Sequence, residues 1–376
     1  MTQEVSLDQL KNAKRIVVKV GSALIAEAGS VRQTWLNELA ADIAELRAAG
    51  QDVILVSSGA IALGRNKLGP ERPRKLEEKQ AAAALGQPLL MAALTQAFSS
   101  KNISVAQTLL TLDDTENRRR WLNARATLDT LLGAGAVPVI NENDSVATDE
   151  IRYGDNDRLA ARVAQMMSAD VLVLLSDIDG LYTADPRQNE SAEHLPILYD
   201  LTAEHDAMAS GSNAHADLGS GGMTTKLTAA RIAQSAGCST VITLGTGKRP
   251  LNTLLAGGRA TWILSTMTPV TARQIWLKGH LTPEGSISVD AGAATALAGE
   301  ASLLPVGVTS TQGEFGRGAA VAIKDPDGHV IAKGISAYSS RDIARIAGLQ
   351  SDQIEKELGF RGRPAVVHRN DLVMER

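Results

Sequence analysis

IVVKVGSALI, residues 16–25, reads as a buried strand that carries a lysine to its own end. Ile16, Val17, Val18 and Val20 are apolar without alternation, the pattern of a strand covered on both faces. Lys19 interrupts that run, and an ammonium group there is costly unless it meets an anion or reaches water. Gly21 and Ser22 follow it and leave backbone N–H groups open to approach. The segment is therefore either a phosphate-binding turn or a plain strand end with its lysine in solvent.

Outward from this stretch, β-branched runs recur at 53–57, 137–140, 171–175 and 241–244, separated by helical patterns. TWLNELAADIAELRAAG, 34–50, has amphipathic spacing, with Thr34 as the expected N-cap and Gly50 as the expected stop. Further helices are expected at about 117–133 and 156–168, each preceding a strand. This alternation predicts α/β architecture: a three-layer αβα sandwich around a mainly parallel sheet. Near 267–275 the pattern changes to short strands with turn signals, among them Asp327-Gly328 between two apolar runs, a hairpin signature. One or two helices are expected near 340–358. The expected domains are 1–267 and a small β-rich domain over 276–376, and 376 residues is a length that usually divides.

Composition sets limits on function. The chain is 44% hydrophobic and 21% charged, with a net charge of −4, which predicts a globular protein without a general attraction for nucleic acid or anionic membranes. From 276 to 376, eleven Lys and Arg face twelve Asp and Glu, so RNA binding by that region is not expected. The single Cys238 excludes an internal disulfide and reads as a small buried side chain. No secretory leader is read at the start, and no apolar run is expected to approach the ~20 residues that span a bilayer. The expected location is cytoplasmic, with no membrane partner.

Several polar segments sit where open α/β sheets bind ligands, after a strand or at the opening of a helix. Ser57-Ser58-Gly59-Ala60 follows VILV and is either an anion site at a helix N-terminus or an ordinary capped turn. Asn141-Glu142-Asn143-Asp144 after VPVI, with Gly154-Asp155-Asn156-Asp157, suits a ligand with an ammonium group, the ordering of lysines, or Mg²⁺. A polar turn and cap would need only one such residue. Gly219-Ser220-Gly221-Gly222-Met223-Thr224-Thr225-Lys226 is glycine-rich and opens a helix, but lacks the ending of a P-loop; a surface loop is the alternative. Ser176-Asp177 follows VLVLL, a place suited to nucleotide contacts or simply a strand exit. Arg118-Arg119-Arg120 is either a solvated helix face or an effector or subunit contact, His215 reads as a loop residue, and 186–217 as a lid or a mobile loop.

Taken in order, VVKVGS, VSSGAIALG, VPVINENDSVATDEI, GDND, LLSDIDGLYTADPR and GSGGMTTKL resemble the amino-acid kinase superfamily. NENDSVAT followed by GDND is similar to the branch that phosphorylates glutamate. It is less like the aspartate, carbamate, uridylate or acetylglutamate kinases. LLPVGV, the F-x-RG string and VHRNDLV resemble a PUA domain. The resemblance implies the amino-acid kinase fold, with ATP and Mg²⁺ as cofactors and L-glutamate as substrate. Lys19 and Lys226 would neutralise the transferring phosphoryl group, and Asp157 would hold the two lysines. Ser58, Asp144 and Asn156 would bind glutamate. Lys19, Ser176, Asp177, Ser220, Gly221, Gly222, Met223, Thr224, Thr225 and Lys226 would contact ATP. The resemblance also implies proline biosynthesis, feedback inhibition by proline and a homo-oligomer, a dimer or tetramer. It names no metal-coordinating residue. Rival expectations are a related kinase with another acceptor, or RNA binding through the second domain.

Overall fold

The computed structural model describes residues 2–69, 73, 75–146, 156–211, 222–280, 282–299, 301–360 and 362–375. The backbone forms two compact units: Met1–Asn117 with Asn123–Pro269, and Arg118–Leu122 with Val270–Arg376.

The first unit holds an eight-stranded sheet: β1 (Arg15–Val20), β2 (Asp52–Ser57), β3 (Val105–Leu110), β4 (Val137–Glu142), β5 (Val171–Ser176), β6 (Ile197–Leu198), β7 (Ser239–Leu244) and β8 (Ala260–Ile263). Their order is β6-β8-β7-β5-β1-β2-β4-β3, and every neighbouring pair is parallel except β7 with β8. From β1 the chain moves to β2 and the edge strand β3, returns through β4, then crosses to β5 on the far side of β1. That reversal opens a crevice at the C-terminal ends of β1, β2 and β5, the place where such sheets receive ligands.

The continuous apolar runs are continuous because both faces are covered: Ile16, Val17, Val18 and Val20 are all buried, as are Val53 to Val56 and Val171 to Leu175. The edge strand β3 is only partly buried apart from Leu110, so its sequence, VAQTLL, carries no such run. Neither it nor β8 was expected.

The longer helices of this unit include α1 (Thr2–Asn12), α2 (Gln33–Ala48), α3 (Ala60–Leu68), α4 (Leu76–Ser99), α5 (Arg118–Gly133, whose first five residues group with the second unit), α6 (Asn156–Met167) and α7 (Met223–Ser235). α2 buries Trp35, Leu36, Leu39, Ala40, Ile43 and Leu46, one helical stripe. Its N-cap is Arg32, not Thr34, because the helix begins two residues earlier and Thr34 falls inside the first turn. Gly50 does lie just beyond the end, at φ +86°.

α4 corrects a second expectation. It is 24 residues long and, by length and composition, apolar enough to cross a membrane. Half of its apolar window is buried, and Leu90, Leu94 and Phe98 belong to the core of the first unit. It packs on α3 through two glycines: a Cβ on Gly64 would lie 1.9 Å from the Ala82 carbonyl oxygen, and one on Gly86 would lie 1.8 Å from that of Ala60.

The second unit has strands β9 (Gly285–Val289), β10 (Val308–Gln312), β11 (Ala320–Lys324), β12 (Val330–Ser336) and β13 (Val367–Met374) in the order β10-β9-β11-β12-β13. Asp325 Oδ1 accepts the backbone N–H of Asp327 (3.0 Å) and of His329 (2.8 Å), building the turn of the β11–β12 hairpin. Short helices at Ser340–Ile346 and Ile354–Leu358 cover a core of Ile287, Val321, Ile323, Ile343 and Val367.

Candidate active site

Three helices begin at the C-terminal edge of the sheet, and their first residues meet there. α3 follows Ser57-Ser58-Gly59 at the end of β2. Gly59 stands at φ +101°, a left-handed conformation that lets the chain turn from strand into helix. The Ser58 N–H donates to the Val20 carbonyl oxygen (3.1 Å), which fixes this turn against the end of β1.

Asn156, first in α6, ties the next pieces together. Its Nδ2 lies 2.8 Å from Ser58 Oγ, 3.0 Å from Asn141 Oδ1 and 3.1 Å from the Ser57 carbonyl oxygen. The ends of β2, β4 and α6 therefore share one amide. The Asn156 Oδ1 is buried and has no donor among the described residues, an acceptor open to a ligand.

Asp157, next in the chain, is fully buried and lies between two lysines. Lys19 Nζ is 2.5 Å from its Oδ1, and Lys226 Nζ is 3.3 Å from its Oδ2. Both lysines are also buried, at 4% and 6% exposure. Burial alone would raise the carboxyl, but the opposing charges of Lys19 and Lys226 and their hydrogen bonds hold it down, to about 2. Two ammonium groups around one carboxylate leave one positive charge in excess, facing three helix N-termini. Such a site attracts a polyanion.

Asp144 lies in the turn after β4, partly buried. Burial pushes its carboxyl up to about 6, and no opposite charge among the described residues offsets it. A group ionised at neutral pH under that penalty is poised for a cationic partner. Ser176 ends β5, and its Oγ donates to Asp177 Oδ1 (3.2 Å). The exposed Asp177 carboxylate also meets Arg187 Nη2 at 3.2 Å. No described hydrogen bond joins this pair to Asp157.

Of the glycine-rich loop, Ser220 and Gly221 lie outside the described residues, as do His215, Gly154 and Asp155. Gly222 caps α7; Met223 is buried; Thr225 Oγ1 lies 3.0 Å from Asp157 Oδ2. The structure thus brings together Lys19, Ser58, Asn156, Asp157, Thr225 and Lys226 from four separate segments. Asn141 belongs with them but was not singled out, because the NEND run offers four polar candidates and only the fold selects among them.

Asp157 serves two cations and a hydroxyl. Among the described residues, the only group of three metal-ligating side chains within reach of one another is Asp325, Asp327 and His329 in the second unit.

The amino acid kinase family model matches residues 14–243, and the PUA domain model matches residues 285–358. The glutamate 5-kinase of Caulobacter vibrioides is 58% identical over 365 residues, covering 96% of this chain and 97% of its own. That of Paramagnetospirillum magneticum is 57% identical over 371 residues, covering 98% and 100%. Among solved structures, UMP kinase from Bacillus anthracis aligns over 68% of this chain and 98% of its own at 19% identity, with a TM-score of 0.48.

Proposed function

The chain belongs to the glutamate 5-kinase family, and from that membership we propose how its residues divide the work. The enzyme transfers the terminal phosphoryl group of ATP to the side-chain carboxylate of L-glutamate, opening proline biosynthesis. Lys19 and Lys226 neutralise charge on the transferring group, and Asp157 holds both. Ser58, Asp144 and Asn156 hold glutamate, with Asp144 on its ammonium group. Ser176, Asp177 and the loop 220–226 hold the nucleotide.

One observation carries this reading: a fully buried carboxylate bracketed by two buried lysines from residues 207 positions apart, at the opening of three helices. The acceptor carboxylate is already ionised at neutral pH, so no general base is needed. What opposes reaction is the approach of two anions and the charge spreading over the transferred group. Positioning and fixed positive charge answer both. Mg²⁺ would accompany ATP and, when bound, would neutralise phosphate charge.

The enzyme is cytoplasmic, is inhibited by proline and acts as a homo-oligomer. A second copy seats on the outer face of α4, where Ala84, Leu85, Pro88, Leu89 and Ala92 are exposed. The near-balanced charge of 276–376 argues against RNA as a partner.

The product is an acyl phosphate, which hydroxylamine converts to a coloured hydroxamate. Purified protein with ATP and Mg²⁺ is expected to give hydroxamate with glutamate and none with aspartate or acetylglutamate. UMP, which cannot form a hydroxamate, is scored by ADP release. Signal only with another acceptor would overturn the substrate assignment.

A further inference from the structure

We infer that Thr225 is a positioning residue whose hydroxyl anchors Asp157 between the two lysines while those lysines turn to the phosphoryl group. This inference rests on the reading of Lys19, Lys226 and Asp157 given above. Thr225 sits in the first turn of α7, one residue before Lys226, and its Oγ1 lies 3.0 Å from Asp157 Oδ2 and 2.8 Å from the Gly222 carbonyl oxygen.

A hydroxyl has one proton, so only one of these oxygens receives it in full. The Gly222 carbonyl already accepts the backbone N–H of Thr225 (3.2 Å) and of Lys226 (3.4 Å). The Asp157 carboxylate is the stronger acceptor and is fully cut off from water. The proton therefore goes to Asp157. The side chain of Thr225 is then committed inward, and any contact of this residue with a nucleotide falls to its backbone.

The chemical value of this bond lies in its neutrality. Lys19 and Lys226 have to serve two anions, Asp157 and the phosphoryl oxygens. As they lean toward phosphate, their hold on Asp157 weakens. A carboxylate held by lysines alone would follow one of them or close on the other. The Thr225 hydroxyl does not compete for phosphate charge in the same way, and it keeps Oδ2 in place. The Lys226 contact on that same oxygen is the longer of the two ion pairs, 3.3 Å against 2.5 Å, so Oδ2 is where a second donor counts.

Thr225→Val removes the proton at nearly constant volume, and Thr225→Ser keeps it. The valine variant is expected to lose roughly 10- to 100-fold in kcat, the size of a hydrogen bond to a charged group. Its KM for glutamate should stay within about twofold, and the serine variant should recover most of the loss. In a cycle with Asp157→Asn, the double variant should turn over no slower than Asp157→Asn alone, since both changes break one interaction. If Thr225→Val does not fold, Thr225→Ala against Thr225→Ser provides the same contrast. A valine variant with unaltered kcat, or losses that multiply in the cycle, would overturn the inference. Lys226→Ala, run alongside, separates the two levels: if it also kept full turnover, the kinase assignment of the lysines would fail, and not merely the role of Thr225.

Discussion

Lys226 and Asp144 have different proposed tasks, charge on the transferring group and the ammonium of glutamate, and their substitutions should separate in the kinetics. Lys226→Ala is expected to lower kcat by about 10²–10³, the usual loss when one preorganised transition-state donor is removed. Steady-state rates at saturating ATP and glutamate check this. Asp144 is ionised at neutral pH against a burial penalty that pushes its carboxyl up to about 6. As pH falls through that value the carboxyl protonates and loses its attraction for an ammonium group. The KM for glutamate should therefore climb below about pH 6, and Asp144→Asn should show a high KM with no such rise. Stability runs the other way. A carboxyl raised in the folded state opposes folding above its unfolded value near 3.8, and the penalty is fully present above about pH 6. Asp144→Asn should thus stabilise the free enzyme at pH 7–8, by about 1–3 kcal/mol, as read by urea denaturation. An unchanged or lowered midpoint would show that Asp144 already has a compensating partner. Lys19 was legible in the sequence because a lysine stands out in an apolar run. That Lys19, Asp157 and Lys226 meet was not legible from spacing, since positions 19, 157 and 226 adjoin only after the sheet has formed.

Buried strands and short polar turns were the elements the sequence revealed, because burial on both faces leaves an unbroken apolar run. β3 escaped notice because an edge strand is covered on fewer sides, and its Gln107 and Thr108 break the run. α4 escaped for a different reason: it is apolar nearly all round, so it has little of the one-sided pattern by which helices are recognised. Its place is instead set by close backbone approach. Gly86→Ala would put a methyl group 1.8 Å from the Ala60 carbonyl oxygen, and backbone cannot yield as a flexible side chain does. The expected loss is about 1–3 kcal/mol, the range for overpacking. Ala60 opens α3 directly after Ser58 and Gly59, so the same change should also raise the KM for glutamate. Denaturant midpoints and kinetics on one preparation test both. A variant as stable as the parent would mean that α3 and α4 can separate without penalty.

At the scale of the whole molecule, the outer side of α4 is one feature that single-chain packing leaves unexplained. Leu85 is 43% and Leu89 38% exposed, with Ala84, Pro88 and Ala92 beside them on one stripe, while the opposite stripe is core. A row of large apolar side chains facing water is what a subunit contact covers. A long helix can meet its own copy across a two-fold axis, because each stripe then faces an identical one. The composition supports the same view: with a net charge of only −4, little long-range repulsion opposes pairing of two chains. The prediction is that the protein sediments as a dimer or larger at micromolar concentration, and that Leu85→Glu with Leu89→Glu shifts it to monomer. The two changes place like charges opposite each other across the axis, a penalty paid only in the assembly. Because both positions lie on the face away from the core, the melting temperature of the separated chain should hold. A parent that is already monomeric, or a double variant that associates as the parent does, would rule out this face as the contact.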